Sequence, residues 1–312
     1  METNKHKLSG FLSISQEVQD ALMHHQPILA LESTVLTHGL PYPQNIDVAY
    51  QLEAIARETN VTPATVAIIN GKIKIGLSHD DIQMLAEKKA HKASVRDLGL
   101  MISQKASAGT TVALTAMLST LAGIRVFSTG GIGGVHFGDE MDVSADLVEM
   151  SRQPIAIISA GPKAILDIGR TLEVLESYSV PIVGFNTHYV PAFYSRTSAY
   201  SLPHSFDTIN ALTQYVYVHH TLSLSSAVLI MNPIPAIDEI PEQIIQPVIH
   251  HALQKAKEHG IKGKALTPFL LAELNKLTDG QSVQANLALL KNNVTVGAAL
   301  SKQLILHAQS IG

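Results

Sequence analysis

Apolar and polar positions along this chain alternate between two periods, and the alternation gives an order of elements. Short apolar runs at residues 28–31, 64–69, 124–127, 154–159, 181–185 and 227–231 read as strands, several of them of the kind buried on both faces of a parallel sheet. Between them, apolar residues recur at helical spacing. Ser15 caps a pattern that runs to about His24, and a second one, Val48-Leu52-Ile55-Ala56, opens near Asn45 or Asp47. Further helices are predicted from Ser78 through Lys88, over 110–121 with Gly123 as breaker, over 240–259 ended by Gly260, over 268–277, and over 281–308. A helix over 162–178 is also predicted, with Pro162 in its first turn, where a missing N–H costs nothing. Asn70-Gly71 tolerates positive φ at both positions and should turn the strand at 64–69 back through 72–77. Asn232-Pro233-Ile234-Pro235 reads as a loop.

Strands separated by helices imply an α/β fold: a three-layer α/β/α sandwich around a mixed, mostly parallel sheet, the hairpin supplying the antiparallel part. No internal repeat, low-complexity segment or linker divides the chain, so one domain over 1–312 is expected. Charged residues make up only 15% of the chain, below the roughly 25% of ordinary soluble domains, which points to surface buried in an oligomer. The net charge of −4 and the lack of a basic block argue against nucleic-acid binding. The sequence contains no cysteine, which excludes disulfides and thiolate metal sites. No apolar stretch reaches membrane-spanning length and no signal peptide is visible, so a cytoplasmic location is expected. The sequons at Asn60 and Asn293 carry no weight. The histidine pairs at 24–25, 219–220 and 250–251 point apart on helices and make poor chelates, so solvated or half-buried rings are expected.

The chemistry-bearing residues gather in a few segments. Lys163 follows the apolar run 155–158 and Gly161, a place where partial burial disfavours the ammonium form and frees an amine nucleophile. Such an amine forms Schiff bases with open-chain sugars, and a helix starting there would further disfavour a cation. Glu32 ends the strand at 28–31 and is placed for proton transfer. Ser128-Thr129-Gly130-Gly131-Ile132-Gly133-Gly134 matches neither a dinucleotide fingerprint nor a Walker motif, and reads as a tightly packed turn beside a ligand. Gly109-Thr110-Thr111-Val112 opens a helix whose free N–H groups can hold an anion. Lys92 (in Lys92-Ala93-Ser94-Val95-Arg96-Asp97), Asp142, Ser144, Asp146 and the helical Asn286 each have an ordinary structural reading when taken alone.

Together, these segments resemble the pseudouridine-5′-phosphate glycosidase, or indigoidine-synthase-A-like, family. The likeness runs from about Leu29 to Ala308 and includes Ala30-Leu31-Glu32-Ser33-Thr34, Pro191-Ala192-Phe193-Tyr194-Ser195-Arg196 and Gly263-Lys264-Ala265-Leu266. The resemblance implies Lys163 as the nucleophile at ribose C1′ and Glu32 as the proton donor. It implies substrate contacts at Lys92, the backbone of Val112, Ser144, Ala145, Asp146 and Asn286, and one Mn²⁺ on Asp142. It further implies a homotrimer and the reversible conversion of pseudouridine 5′-phosphate and water to uracil and ribose 5-phosphate. Val95, Phe137, Pro162 and Thr197-Ser198-Ala199 depart from the family pattern, the last in a loop expected at the site edge. Two other readings stay open: a different Schiff-base lyase on sugar phosphates, and a non-catalytic sugar-phosphate-binding protein.

Overall fold

The computed structural model describes residues 10–87, 90–138, 141–261 and 266–311. Strands β1 (Leu12–Ile14), β2 (Ile28–Leu31), β3 (Thr62–Ile69), β4 (Lys72–Ile75), β5 (His91–Ala93), β6 (Ala108–Thr110) and β7 (Val126–Ser128) form the first half of the chain. They are interleaved with helices α1 (Gln16–Met23), α2 (Gln44–Glu58), α3 (His79–Glu87), α4 (Leu98–Ser103) and α5 (Val112–Ala122). The second half contains β8 (Val135–His136), α6 (Ala145–Met150), β9 (Ala156–Ser159), β10 (Leu166–Asp167), α7 (Ile168–Ser177), β11 (Ile182–Phe185), β12 (Ser205–Phe206), α8 (Ile209–Thr221) and β13 (Val228–Met231). It closes with α9 (Glu242–Glu258), α10 (Leu266–Leu277) and the long α11 (Gln281–Ile311).

Eleven strands make one sheet with a main path β1-β4-β3-β2-β7-β9-β13-β11-β12, and β6 and β5 branch from β3. Pairing is parallel except at β3–β4 and β3–β6. The expected α/β/α layering is therefore present, and the Asn70-Gly71 turn is made with both residues at positive φ.

The strand period of two explains the layering. Leu29, Leu31, Ala156, Ile158, Val228 and Ile230 face a core closed by α2, α8, α9, α10 and α11. Ile28, Ala30, Ile157, Leu229 and Met231 face the opposite core under α1, α5, α6 and α7. Each large aliphatic side chain sealed in this way contributes on the order of 2 kcal/mol over an exposed one. A strand with no polar face therefore needs a helix layer on either side.

Several boundaries move. The helix over 110–121 begins at Val112, because Thr110 belongs to β6 and Thr111 caps it by accepting from the N–H of Leu114. Gly123 ends it in a left-handed conformation, as its lack of a Cβ allows. The expected helix over 162–178 is overturned in its first part. Residues 162–165 are loop, β10 pairs antiparallel with β8, and the helix starts only at Ile168 behind the cap Asp167. Lys88, where the third helix was expected to end, lies outside the described residues, as do Gly263, Lys264 and Ala265. No helix of the described residues is long and apolar enough to cross a membrane.

The histidine pairs divide. The rings at 24–25 and 250–251 are exposed, whereas His219 is buried and bonds the Ser226 carbonyl at 2.9 Å. His220 keeps its Nε2 sealed without a partner, and burial, with Arg125 and His219 adding, pushes its pKa down to about 4 from 6.5. The unfolded chain takes up this proton below pH 6.5 and the folded one only near pH 4, so His220 removes stability as pH falls through that window. Urea unfolding at the two ends of the window should show a smaller loss of stability in His220→Leu than in the wild type. An equal loss would mean that His220 titrates alike in both states.

Candidate active site

The chain runs from β2 outward to β3 and β4, then returns to β7 on the other side of β2. This reversal is a topological switch point, where α/β sheets leave a crevice beyond the carboxyl ends of their strands. A cavity of about 440 Å³ occupies it. Glu32, Lys92, Val112, Asp142, Ser144, Ala145, Asp146, Lys163 and Asn286 all line it, although they come from six stretches of chain.

Glu32 leaves the end of β2 and is buried. Its Oε2 accepts from the Thr34 hydroxyl and its Oε1 from the Thr129 hydroxyl, at the end of the neighbouring β7. Directly after it the chain makes one π-helical turn, Val35–Gly39, a device found often at functional sites. That turn brings His38 to the cavity wall.

Lys163 is placed by backbone pairing that outlasts the strands. Beyond β7 and β9 the two chains stay hydrogen bonded: Ala160 N to Gly130 O at 3.0 Å, Ile132 N to Gly161 O at 3.1 Å, and Lys163 N to Ile132 O at 3.0 Å. Gly161 makes this possible at φ +90°, where a Cβ would lie 2.3 Å from the Pro191 carbonyl. Lys163 is thus a half-buried loop residue, and no helix start acts on its charge. Among the described residues its ammonium has no ion-pair partner.

Asp146 fastens the glycine turn to a helix. Its Oδ2 accepts from Gly133 N and its Oδ1 from Ala113 N, both at 2.8 Å. A Cβ on Gly133 would fall 2.2 Å from Ser144 Oγ, so only glycine fits there. Of the first N–H groups of α5, Ala113 is held by Asp146 and Leu114 by its cap Thr111, while Val112 N–H has no acceptor among the described residues. That N–H lies at the cavity wall, where the helix dipole favours an anion. Asn286 is buried against Gly130, and its amide makes no hydrogen bond to a described residue.

The cavity carries positive charge on Lys92, Arg96 and Lys163. His38 and His136 are held below the ordinary histidine pKa. For His38 the cause is burial, aided by Lys92 and His91; for His136 burial and Lys92 outweigh the opposing pull of Asp142. Both rings are therefore neutral near pH 7. His136 Nδ1 is buried without a partner. Asp142 offers the cavity a carboxylate that accepts no hydrogen bond from a described residue, and no cluster of three or more acidic or histidine ligands occurs among the described residues. A single carboxylate with a water shell fits a hard cation such as Mn²⁺, and would not hold zinc in a closed site.

Several neighbours of this site are not singled out by sequence reasoning. Thr34 has a readable signal, a hydroxyl two residues after Glu32. Thr129 and Asn293 have none, because their contacts depend on which strands and helix lie side by side. The Thr197-Ser198-Ala199 loop contributes nothing to the cavity lining, and Tyr200 packs over Gly169 instead.

Residues 17–303 match the family described as Indigoidine synthase A like protein. A pseudouridine-5′-phosphate glycosidase of Geobacillus kaustophilus (strain HTA426) is 45% identical over 300 residues, covering 95% of this chain and 100% of that one. One from Staphylococcus aureus (strain MW2) is 44% identical over 94% and 97% of the two chains. Among solved structures, an indigoidine synthase A-like protein of Thermotoga maritima superposes with a TM-score of 0.87 at 33% identity, covering 95% and 97%. The prealnumycin C-glycosynthase AlnA, solved in complex with ribulose 5-phosphate, gives 0.88 at 31% identity, covering 96% and 99%. With a full-length match of this kind in both sequence and fold, the chain belongs to the indigoidine synthase A-like family.

Proposed function

We propose that this protein cleaves, and in reverse forms, the C-glycosidic bond of pseudouridine 5′-phosphate, exchanging it with uracil and ribose 5-phosphate. The observation that carries this reading is the meeting of Glu32 and Lys163 in one cavity, at the ends of strands separated only by β7. The names of the relatives and the ribulose 5-phosphate bound by AlnA support the same substrate class.

The chemical difficulty is a carbon leaving group, which paired carboxylates of the usual glycosidase kind do not overcome. An amine opens another route. The C1′–O4′ bond of the sugar breaks with its electron pair going to O4′, which takes a proton, while Lys163 Nζ bonds to C1′ and loses a proton. The C1′–C5 bond then breaks, its pair passing to C5, and C5 takes a proton from Glu32. The nitrogen lone pair meanwhile closes the imine, which water hydrolyses to ribose 5-phosphate. One hard step is thereby divided into easier ones. Thr34 and Thr129 fix the carboxyl of Glu32 for this transfer. Lys92, Ser144 and the Val112 N–H bind the phosphorylated sugar, and Asn286 holds the base with its side-chain amide, which bonds to no described residue. Mn²⁺ held by Asp142 would supply a fixed positive charge that orients phosphate and water.

The purified protein given pseudouridine 5′-phosphate and Mn²⁺ should release uracil, and Lys163→Ala should release none. Borohydride added with ribose 5-phosphate should leave a stable adduct on wild type only. Equal uracil release from both proteins would remove Lys163 from the reaction. An adduct without uracil release would favour another sugar-phosphate lyase, and binding with neither would favour a sensor.

Asp142→Asn should bind Mn²⁺ about tenfold or more weakly than wild type in an electron paramagnetic resonance titration. Equal affinities would place the ion elsewhere.

A further inference from the structure

Helix α11 runs against β7 with Asn293 and Gly297 one turn apart on the contact face. Asn293 is fully buried, and its side chain is fully paired. Its Nδ2 donates to the Thr129 carbonyl at 2.8 Å and to the Gly130 carbonyl at 3.3 Å. Its Oδ1 accepts from Asn232 Nδ2 at 2.9 Å, and its own carbonyl accepts from Ser128 Oγ at 2.9 Å. One residue thus touches three successive positions, from the last of β7 into the glycine turn. On the other side, Thr129 N donates to the Ile158 carbonyl of β9 at 3.0 Å. Thr129 is therefore held at its N–H by β9 and at its carbonyl by α11.

The contact has little slack. A Cβ on Gly297 would lie 2.1 Å from Ser128 Oγ and 2.9 Å from a Leu29 methyl, so a side chain there would push α11 away from β7. What this fixes matters for Glu32. The Thr34 hydroxyl lies two residues from Glu32 and moves with it, whereas the Thr129 hydroxyl comes from another strand and supplies an outside reference.

We propose that Asn293 is a positioning residue: by fixing the Thr129 peptide it fixes, through the Thr129 hydroxyl, the orientation of the Glu32 carboxyl toward the carbon it protonates. The inference rests on the C-glycosidic reading given above. Asn293 does not line the cavity, so it touches no substrate and acts only through Thr129. A fully satisfied buried network of this kind specifies one placement of its members.

The test uses Asn293→Ala, Thr129→Val, the double variant, and Asn232→Ala, which unlocks the amide from behind and carries the comparison if Asn293→Ala fails to fold. With pseudouridine 5′-phosphate, Asn293→Ala should lower kcat by about 100-fold, the cost of a small misplacement. KM should stay within about twofold, since ground-state binding is untouched. In the Thr129→Val background the same change should cost less than about threefold, because the two residues act in one chain. A second readout needs no turnover: the ¹³C resonance of the Glu32 carboxyl should move in Asn293→Ala and in Asn232→Ala. Losses that multiply in the double variant, or an unmoved resonance in an active enzyme, would overturn the role of Asn293. A resonance that moves in the variants, together with a wild type that releases no uracil, would leave the positioning in place and remove the reaction.

Discussion

The cavity depends on a buried carboxylate that pairs with the backbone and, among the described residues, with no cation. Asp146 joins Gly133 N to Ala113 N, and so joins a turn without side chains to the start of α5. An ion of this kind costs several kcal/mol to bury when left unpaired. Here two charge-assisted N–H bonds and the positive end of α5 compensate it. Much of the site geometry follows. With Ala113 taken, the N–H of Val112 is left facing the cavity, and α6 is drawn close enough for Ser144 and Ala145 to form a wall. Gly133 can be nothing larger.

The core strands β2, β3, β4, β7, β9, β11 and β13 and most helices were legible because their signals are local, whereas the short β1, β5, β6 and β12 were not. Ser15, Ser78 and Thr111 are capping residues before apolar periodicity, and Asn70-Gly71 is a turn by backbone preference alone. The stretch after Pro162 was misread because a proline at a possible first turn is equally suited to an extended bridge. Ile132 offers that bridge from thirty positions upstream, a partner no window of sequence contains. The two-residue β8 and β10 escaped notice for the same reason: neither has a pattern of its own, and each exists because the other lies beside it.

The site itself divides along the same line. Glu32 and Lys163 follow apolar runs, so their placement beyond the carboxyl ends of buried strands could be inferred, and the resemblance gathered the remaining contacts. Asp146, a substrate contact by the resemblance, lines the cavity, and both its oxygens also accept from backbone N–H groups that no window of sequence pairs with it. Asn293, whose sequon match carries no weight, is wholly buried, with its amide engaged on both ends. Its role depends on the order β2-β7-β9 and on the helix laid across it, and neither can be read from Asn293 and its neighbours.

That helix also sets a schedule. Asn286 and Asn293 come after every other residue of the site in the chain, and α11 packs on β2, β7 and β9, whose members are made far earlier. Chains grow from the N-terminus at about 5–20 residues per second, and structure forms as they emerge. While α11 is still within the ribosome, Glu32 and the glycine turn are already outside, and the stretch of β2, β7 and β9 that α11 covers is bare. The nascent chain must therefore wait for this helix with the cavity open on that side, a stage at which chaperone shielding has the most to protect.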